Sequence, residues 1–125
     1  VNEENKRMVT GNITHLLRSF LTNSSFEYVI FCWVIHQESI FNDILTPLSD
    51  LSFDLHRFTL TCSPEVLTRR LTEDVEHGIR SADVIERGLS RIPLYEKMST
   101  QKIDVDSISP LDVAQIIRRQ VCGKS

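Results

Sequence analysis

The chain has 125 residues, of which 41% are apolar and 25% are charged, and its formal net charge is −3. This composition is typical of a soluble globular domain, and the chain is long enough to bury a core. The acidic balance argues against nucleic acid or an anionic membrane as a partner, and the longest apolar run, YVIFCWVI (28–35), is far too short to span a bilayer.

The N-terminal part of the chain contains two predicted helices on either side of one predicted strand. Apolar residues recur at helical spacing over about residues 3–22. The run at 28–35 is apolar at every position, which predicts a strand buried on both faces in a parallel sheet. A second helix is predicted over about residues 40–48, broken around Pro47.

A second predicted strand, HRFTLTC (56–62), leads directly into a helix. Ser63 can cap this helix and Pro64 suits its first position, while Gly78 is the type of residue that ends one. Another helix is predicted from about Ser81 to Tyr95.

The last predicted strand, KIDVD (102–106), also precedes a helix. Ser109 and Asp112 form a capping box at its start, with aspartate in place of the usual glutamate. The predicted order is therefore α-β-α-β-α-α-β-α, which is typical of a parallel sheet with helices on both faces. Without repeats or linker-like tracts, the sequence predicts one three-layer α/β domain over residues 1–125.

The chain ends in Gly-Lys-Ser (123–125), the last three residues of the phosphate-binding motif G-x-x-x-x-G-K-[ST]. The first glycine of that motif would fall at Arg118, and the preceding sequence predicts a helix where the motif requires a strand. Gly123 is better explained as the residue that ends this helix, with Lys124 near the negative end of its dipole. We therefore predict no phosphate site here.

Three segments, taken in their order and spacing, carry a family resemblance: FTLTCSPEVLTRRL (58–71), RSADVIERGLSRIPLYEKM (80–98) and TQKIDVDSISPLDVAQII (100–117). Together they resemble the later part of the small P-loop kinases, the shikimate, gluconate and adenylate kinase-like phosphotransferases. The resemblance extends over most of the chain from about Tyr28. It implies a five-stranded parallel sheet in which 28–35, 56–62 and 102–106 supply the third, fourth and fifth strands.

The first two strands of that family and its phosphate loop have no counterpart in this sequence. The family's first strand lies between the third and the fourth, so its absence would leave unpaired backbone on both neighbours. The resemblance therefore implies that residues 1–125 are a domain incomplete at its N-terminus, with the phosphate loop supplied from outside them. Unpaired sheet edges also predict self-association.

The resemblance assigns a lid to the helical segment 78–100. Its arginines, Arg80, Arg87 and Arg91, would offset charge on the phosphoryl group in transfer. The spacing places them on one face of a continuous helix. The alternative is an ordinary solvated face on which Asp83 pairs with Arg87.

The nucleotide side of the implied site involves three residues. The resemblance places Arg70 near the base, although Asp74 stands where many relatives have another arginine. Asp106 and Ser107 match the loop whose backbone passes over adenine. The alternatives are a surface arginine and a plain turn between a strand and a helix.

The acceptor side of the implied site involves Trp33 and His36, at the carboxyl end of the predicted strand 28–35, where open α/β sheets bind ligands. His36 could orient or deprotonate an acceptor hydroxyl, or it could instead cap the next helix. The four histidines and three cysteines show no metal-ligand spacing, and the cysteines predict reduced, buried thiols.

The function implied by the resemblance is ATP- and Mg²⁺-dependent phosphoryl transfer to a small hydroxyl-bearing acceptor by a cytoplasmic enzyme. Without a phosphate loop, this chain alone would be inactive. The alternative is a non-catalytic α/β interaction module that has lost the nucleotide site. A nucleic-acid partner is disfavoured by the acidic balance.

Overall fold

The computed structural model describes residues 2–122, so the predicted helix end at Gly123 lies outside the described residues. They form five α-helices and two strands, arranged in two compact units, unit 1 (Val1–Leu55) and unit 2 (His56–Ser125). The predicted α/β class is confirmed at this level. That all 125 residues make a single domain stays a prediction. No helix of the described residues is long and apolar enough to cross a membrane.

Unit 1 consists of two helices and a 3₁₀ turn. Helix α1 (Glu3–Leu21) begins at Asn2, whose side chain accepts a hydrogen bond of 2.8 Å from the Asn5 amide. Helix α2 (Glu38–Leu45) passes into the 3₁₀ turn Thr46–Leu48, so the predicted break around Pro47 is confirmed. Ile44 and Leu48 are buried where α1 contacts α2 and the turn, and they form the core of unit 1.

A bidentate ion pair fastens α1 to the chain after the 3₁₀ turn. The Arg18 guanidinium donates to Asp50 at 2.7 and 3.0 Å and to the Pro47 carbonyl at 2.6 Å. These hydrogen bonds from Arg18 lower the pKa of the Asp50 carboxyl, and the same pairing raises the pKa of Arg18.

Arg18→Ala is expected to lower the melting temperature of unit 1 at neutral pH. It is also expected to make that temperature depend less on pH in the acidic range. Because the folded-state pKa of Asp50 lies below its unfolded value of about 3.9, the pair stabilises the fold above that value. The contribution is lost as pH falls through the folded pKa. Thermal unfolding between neutral and acidic pH measures this. Arg7→Ala, which removes the same charge from α1 without breaking an ion pair with described residues, should behave as wild type.

The predicted strand at 28–35 is wrong. Residues 28–36 have no regular secondary structure, and most side chains in the segment are exposed, Ile30 to 88%. A strand is defined by its ladder of hydrogen bonds, and no described strand pairs with this segment. The hydrophobic pattern therefore indicates that the segment favours a strand conformation, but no described strand pairs with it.

Unit 2 is built around two short parallel strands. Strand β1 (Phe58–Thr61) pairs in parallel with β2 (Gln101–Asp104), and Leu60 lies in register with Ile103. Helices α3 (Pro64–Glu76) and α4 (Asp83–Glu96) form the crossover between the strands, and α5 (Pro110–Cys122) follows β2. The two predicted strands, 56–62 and 102–106, are thus confirmed in direction, although the observed strands are shorter and the second ends at Asp104.

The helix ends of unit 2 follow their predicted capping signals. The Ser63 hydroxyl accepts from the Val66 amide at 3.2 Å, and Gly78 has a φ of 71° just after α3, where an L-residue would be strained. At α5 both hydrogen bonds of the capping box form. The Asp112 amide donates to the Ser109 hydroxyl and the Ser109 amide to the Asp112 carboxylate, each at 3.1 Å.

The crossover helices pack closely against each other. Gly88 allows this approach, because a Cβ added there would lie 3.0 Å from Leu71 Cδ1. The buried apolar side chains of unit 2 come from four different elements or turns: Leu71, Met98, Ile103 and Val113. These four residues form the core of the described part of unit 2.

Candidate functional site

The carboxyl ends of β1 and β2 lie at the same edge of unit 2 because the strands are parallel. The pairing continues past β2, since the Val105 amide donates to the Thr61 carbonyl at 2.8 Å. The turns that follow the two strands, 62–63 and 105–109, therefore lie side by side. Ligands of open α/β sheets bind at such an edge, so we take these turns and the residues that contact them as the candidate site.

Asp106 joins the two turns. Its carboxylate accepts a hydrogen bond of 2.8 Å from the Ser63 amide at the start of α3, and its own amide donates to the Asp104 carboxylate at 2.9 Å. A carboxylate at the positive end of a helix dipole is favourable. The side chain of Asp106 therefore fixes the turn after β2 against the start of α3.

Arg70 reaches the same turn from α3. Its guanidinium donates to the Val105 carbonyl at 3.1 Å, although the side chain is exposed. The neighbouring Arg69 makes no hydrogen bond or ion pair with a described residue. Arg70 thus contacts the residue directly before Asp106, so the structure brings these two predicted site residues to the same turn. Ser107, the third predicted residue, follows Asp106 in the chain and is exposed.

Cys62 and Ser63 were not predicted as site residues, although their position directly after β1 was a usable signal. Cys62 lies in the first of these turns, and its thiol is half-buried. Cys32 and Cys122 are exposed, so the prediction of buried thiols is wrong for those two. Burial raises its pKa, the nearby Asp106 carboxylate raises it further, and Arg70 acts in the opposite direction. Cys62 is therefore a protonated thiol at neutral pH, which is a property of a packing residue and not of a nucleophile.

Of the three arginines predicted for the lid, Arg87 and Arg91 lie on α4. They are four residues apart and share a face of the helix. Arg80 precedes α4, so the prediction that all three lie on one helical stripe is wrong. The physical reason is a turn after α3, in which the Asp74 carbonyl accepts from the amides of Ile79, at 2.8 Å, and Arg80.

Two of these arginines have carboxylate partners. Arg80 Nε lies 3.1 Å from Asp74 Oδ2, and Arg87 Nε lies 3.3 Å from Asp83 Oδ2. A hydrogen bond from Ser81, and then the charge of Arg87, lowers the pKa of Asp83. Arg91 is half-buried and has no ion pair with a described residue. The Asp83–Arg87 pair that we predicted as the alternative to a lid is therefore present.

Trp33 and His36 belong to unit 1. The Trp33 ring packs against Phe31, with ring centroids 6.4 Å apart, and it remains about half exposed. His36 does not cap α2, because the N-cap is Gln37, so that alternative is wrong. The His36 Nδ1 atom is buried and has no hydrogen-bond partner among the described residues. Arg70 and Asp106 belong to unit 2, and the acceptor roles of Trp33 and His36 stay a prediction.

Within residues 2–122, no group of three or more His, Cys, Asp and Glu side chains could hold a metal ion. Comparisons with protein-family models, with curated proteins and with solved structures gave no match.

Proposed function

We propose that this chain is the base-binding and lid-bearing part of an ATP-dependent phosphotransferase of the small P-loop kinase type, acting on a small hydroxyl-bearing substrate. The observation that carries the proposal is the Arg70 hydrogen bond to the Val105 carbonyl, beside the turn that Asp106 fixes to α3. These residues come from separate parts of the sequence and meet at the carboxyl edge of two parallel strands.

The turn after β2 has the features that an adenine base needs. The exposed guanidinium of Arg70 is a planar cation on which an aromatic base can stack. The main-chain amides of Ser107 and Ile108 donate to no described residue, so they can hydrogen-bond a base edge. Because Asp106 is held by Ser63, the turn does not have to be ordered when the base binds, which lowers the entropic cost of binding.

The arginines of the lid segment can serve a phosphoryl group despite their carboxylate partners. Both ion pairs are solvent-exposed, and such pairs contribute little free energy. A phosphate of higher charge can therefore displace Asp83 from Arg87, while Arg91 on the same face has no ion-pair partner to lose among the described residues. Mg²⁺ and a phosphate loop from outside these residues would supply charge neutralisation of the transferred group.

The second candidate is a non-catalytic α/β interaction module, and the ion pairs themselves favour it. Arg80 could serve only to stabilise the turn after α3, and Arg87 only to stabilise the first turn of α4. In that case their ion pairs with Asp74 and Asp83 would never be broken by a ligand. The two functions differ in whether unit 2 binds a nucleoside.

A comparison of neighbouring arginines separates the two functions. We expect Arg70→Ala to weaken adenosine binding about tenfold, which corresponds to about 1.4 kcal/mol of binding free energy. The variant loses the surface on which the base stacks and the hydrogen bond to the Val105 carbonyl. Arg69→Ala removes the same charge one residue away without removing a described contact, so it should bind as wild type. The measurement is a calorimetric titration of each protein with adenosine and, separately, with ATP.

The two ligands should bind wild type with similar affinity, because these 125 residues contain no complete phosphate-loop motif. If wild type does not bind adenosine, or if both alanine variants weaken binding equally, the base site at Arg70 is refuted and the interaction module becomes the better account.

A further inference from the structure

The segment 28–35, YVIFCWVI, combines the sequence features of strands that pair between molecules. It carries no charge, no glycine and no proline, and seven of its eight residues are β-branched or aromatic. Uncharged segments of six or seven residues with high β-propensity are those that stack into intermolecular sheets. The sequence of this segment predicts a buried strand, but most of its side chains are exposed in unit 1.

The backbone of the segment is also open. From Val29 to Ile35, no hydrogen bond joins the main chain to any described residue. The side chains exposed alongside this open backbone are large and apolar: Tyr28, Ile30, Phe31, Trp33 and Val34. Soluble monomers rarely expose a contiguous apolar patch of this kind, and patches that they do expose mark interaction sites.

The patch is large enough to support an interface between two copies of the chain. These five side chains are between 40% and 88% exposed. Covering them fully removes on the order of 100 Å² from each, so each copy contributes at most roughly 500 Å². Two copies then bury at most about 1,000 Å², which is the lower limit of a specific interface.

We infer that residues 28–35 pair strand to strand with the same segment of a second copy of this chain. The second copy is the fitting occupant because an uncharged segment that is apolar on both faces complements itself without repulsion. Pairing supplies the hydrogen bonds that the main chain from Val29 to Ile35 lacks. Both hydrogen-bonding edges of the segment are open. When one edge pairs with a second copy, the other edge can pair with a third copy, so association continues beyond the dimer.

A pair of isoleucine variants tests the inference on the full 125-residue chain. Ile30 is 88% exposed in the segment and Ile79 is 69% exposed in unit 2, so lysine at either position adds the same charge at an exposed apolar site. The measurement is the mass of the particle in solution by sedimentation velocity, from about 1 µM to about 100 µM. The same series is run with Val34→Lys as a second variant, and circular dichroism checks that each variant keeps its helices.

Wild type and Ile79→Lys should both grow in mass with concentration, past the dimer. Ile30→Lys and Val34→Lys should need at least about tenfold higher concentration for the same mass, because a charge within the paired segment opposes stacking. Wild type that stays monomeric throughout would overturn the inference, as would association unaffected by both Ile30→Lys and Val34→Lys. The proposed nucleotide site does not enter this test, since adenosine binding is measured in unit 2.

Discussion

Leu48→Ala is expected to lower the free energy of unfolding of unit 1 by about 2 to 5 kcal/mol. Leu48 is the most deeply buried large side chain among the described residues, at 1% exposure. It lies in the 3₁₀ turn, which contacts both α1 and α2. Among the described residues of unit 1, the only other buried side chain is Ile44, so the cavity would remove a large part of a small core.

The single tryptophan, Trp33, belongs to unit 1, so its fluorescence during urea unfolding reports on this unit. Leu55→Ala is the matched control, because Leu55 lies in the same unit and is 50% exposed. Its effect should stay within about 0.5 kcal/mol. Equal effects of the two substitutions would show that Leu48 is not in a packed core.

Ile103→Ala is expected to lower the free energy of unfolding of unit 2 by a similar amount, about 2 to 5 kcal/mol. Ile103 is 5% exposed at the centre of β2, directly before the residues that form the candidate site. The loss of its side chain should loosen the end of the strand. The Val105 amide, which donates to Thr61, should then exchange with solvent faster.

Leu60→Ala provides the control for this second substitution. Leu60 is paired in register with Ile103 on the neighbouring strand, but it is 54% exposed. Hydrogen exchange at Val105 should therefore be close to wild type in Leu60→Ala and clearly faster in Ile103→Ala. If Val105 exchanges equally fast in the two variants, burial of Ile103 does not hold the strand end in place.

Local signals in the sequence were sufficient for most of unit 2. The caps at Ser63 and Ser109 and the helix end at Gly78 depend on residues within four positions of one another, so the sequence specifies them directly. The two parallel strands were also predicted. Their parallel direction followed from the alternation of helices and strands, but their pairing to each other was not predicted.

The errors occurred where structure depends on a partner distant in sequence. Residues 28–35 have the composition of a buried strand, but composition cannot supply a neighbouring strand, and none of the described strands pairs with them. Arg80 was predicted to share one helical face with Arg87 and Arg91, but that helix begins only at Asp83. The bond from Arg80 to Asp74 belongs to a turn that helical periodicity does not reveal.

The candidate site was predictable in part. Arg70 and Asp106 are 36 positions apart, and only the resemblance to the small P-loop kinases suggested that both serve one base. The role of Ser63 as donor to the Asp106 carboxylate was not predictable from either source, because it depends on how the two turns lie against each other.

An amide map of adenosine binding by ¹⁵N NMR on the wild-type chain tests the proposed base site directly. The largest shifts should fall on the amides from Val105 to Ile108 and on the first turn of α3, and the Arg70 side-chain signal should move in the same titration. Shifts confined to unit 1, or the absence of any shift at saturating adenosine, would contradict a base site at the carboxyl edge of β1 and β2.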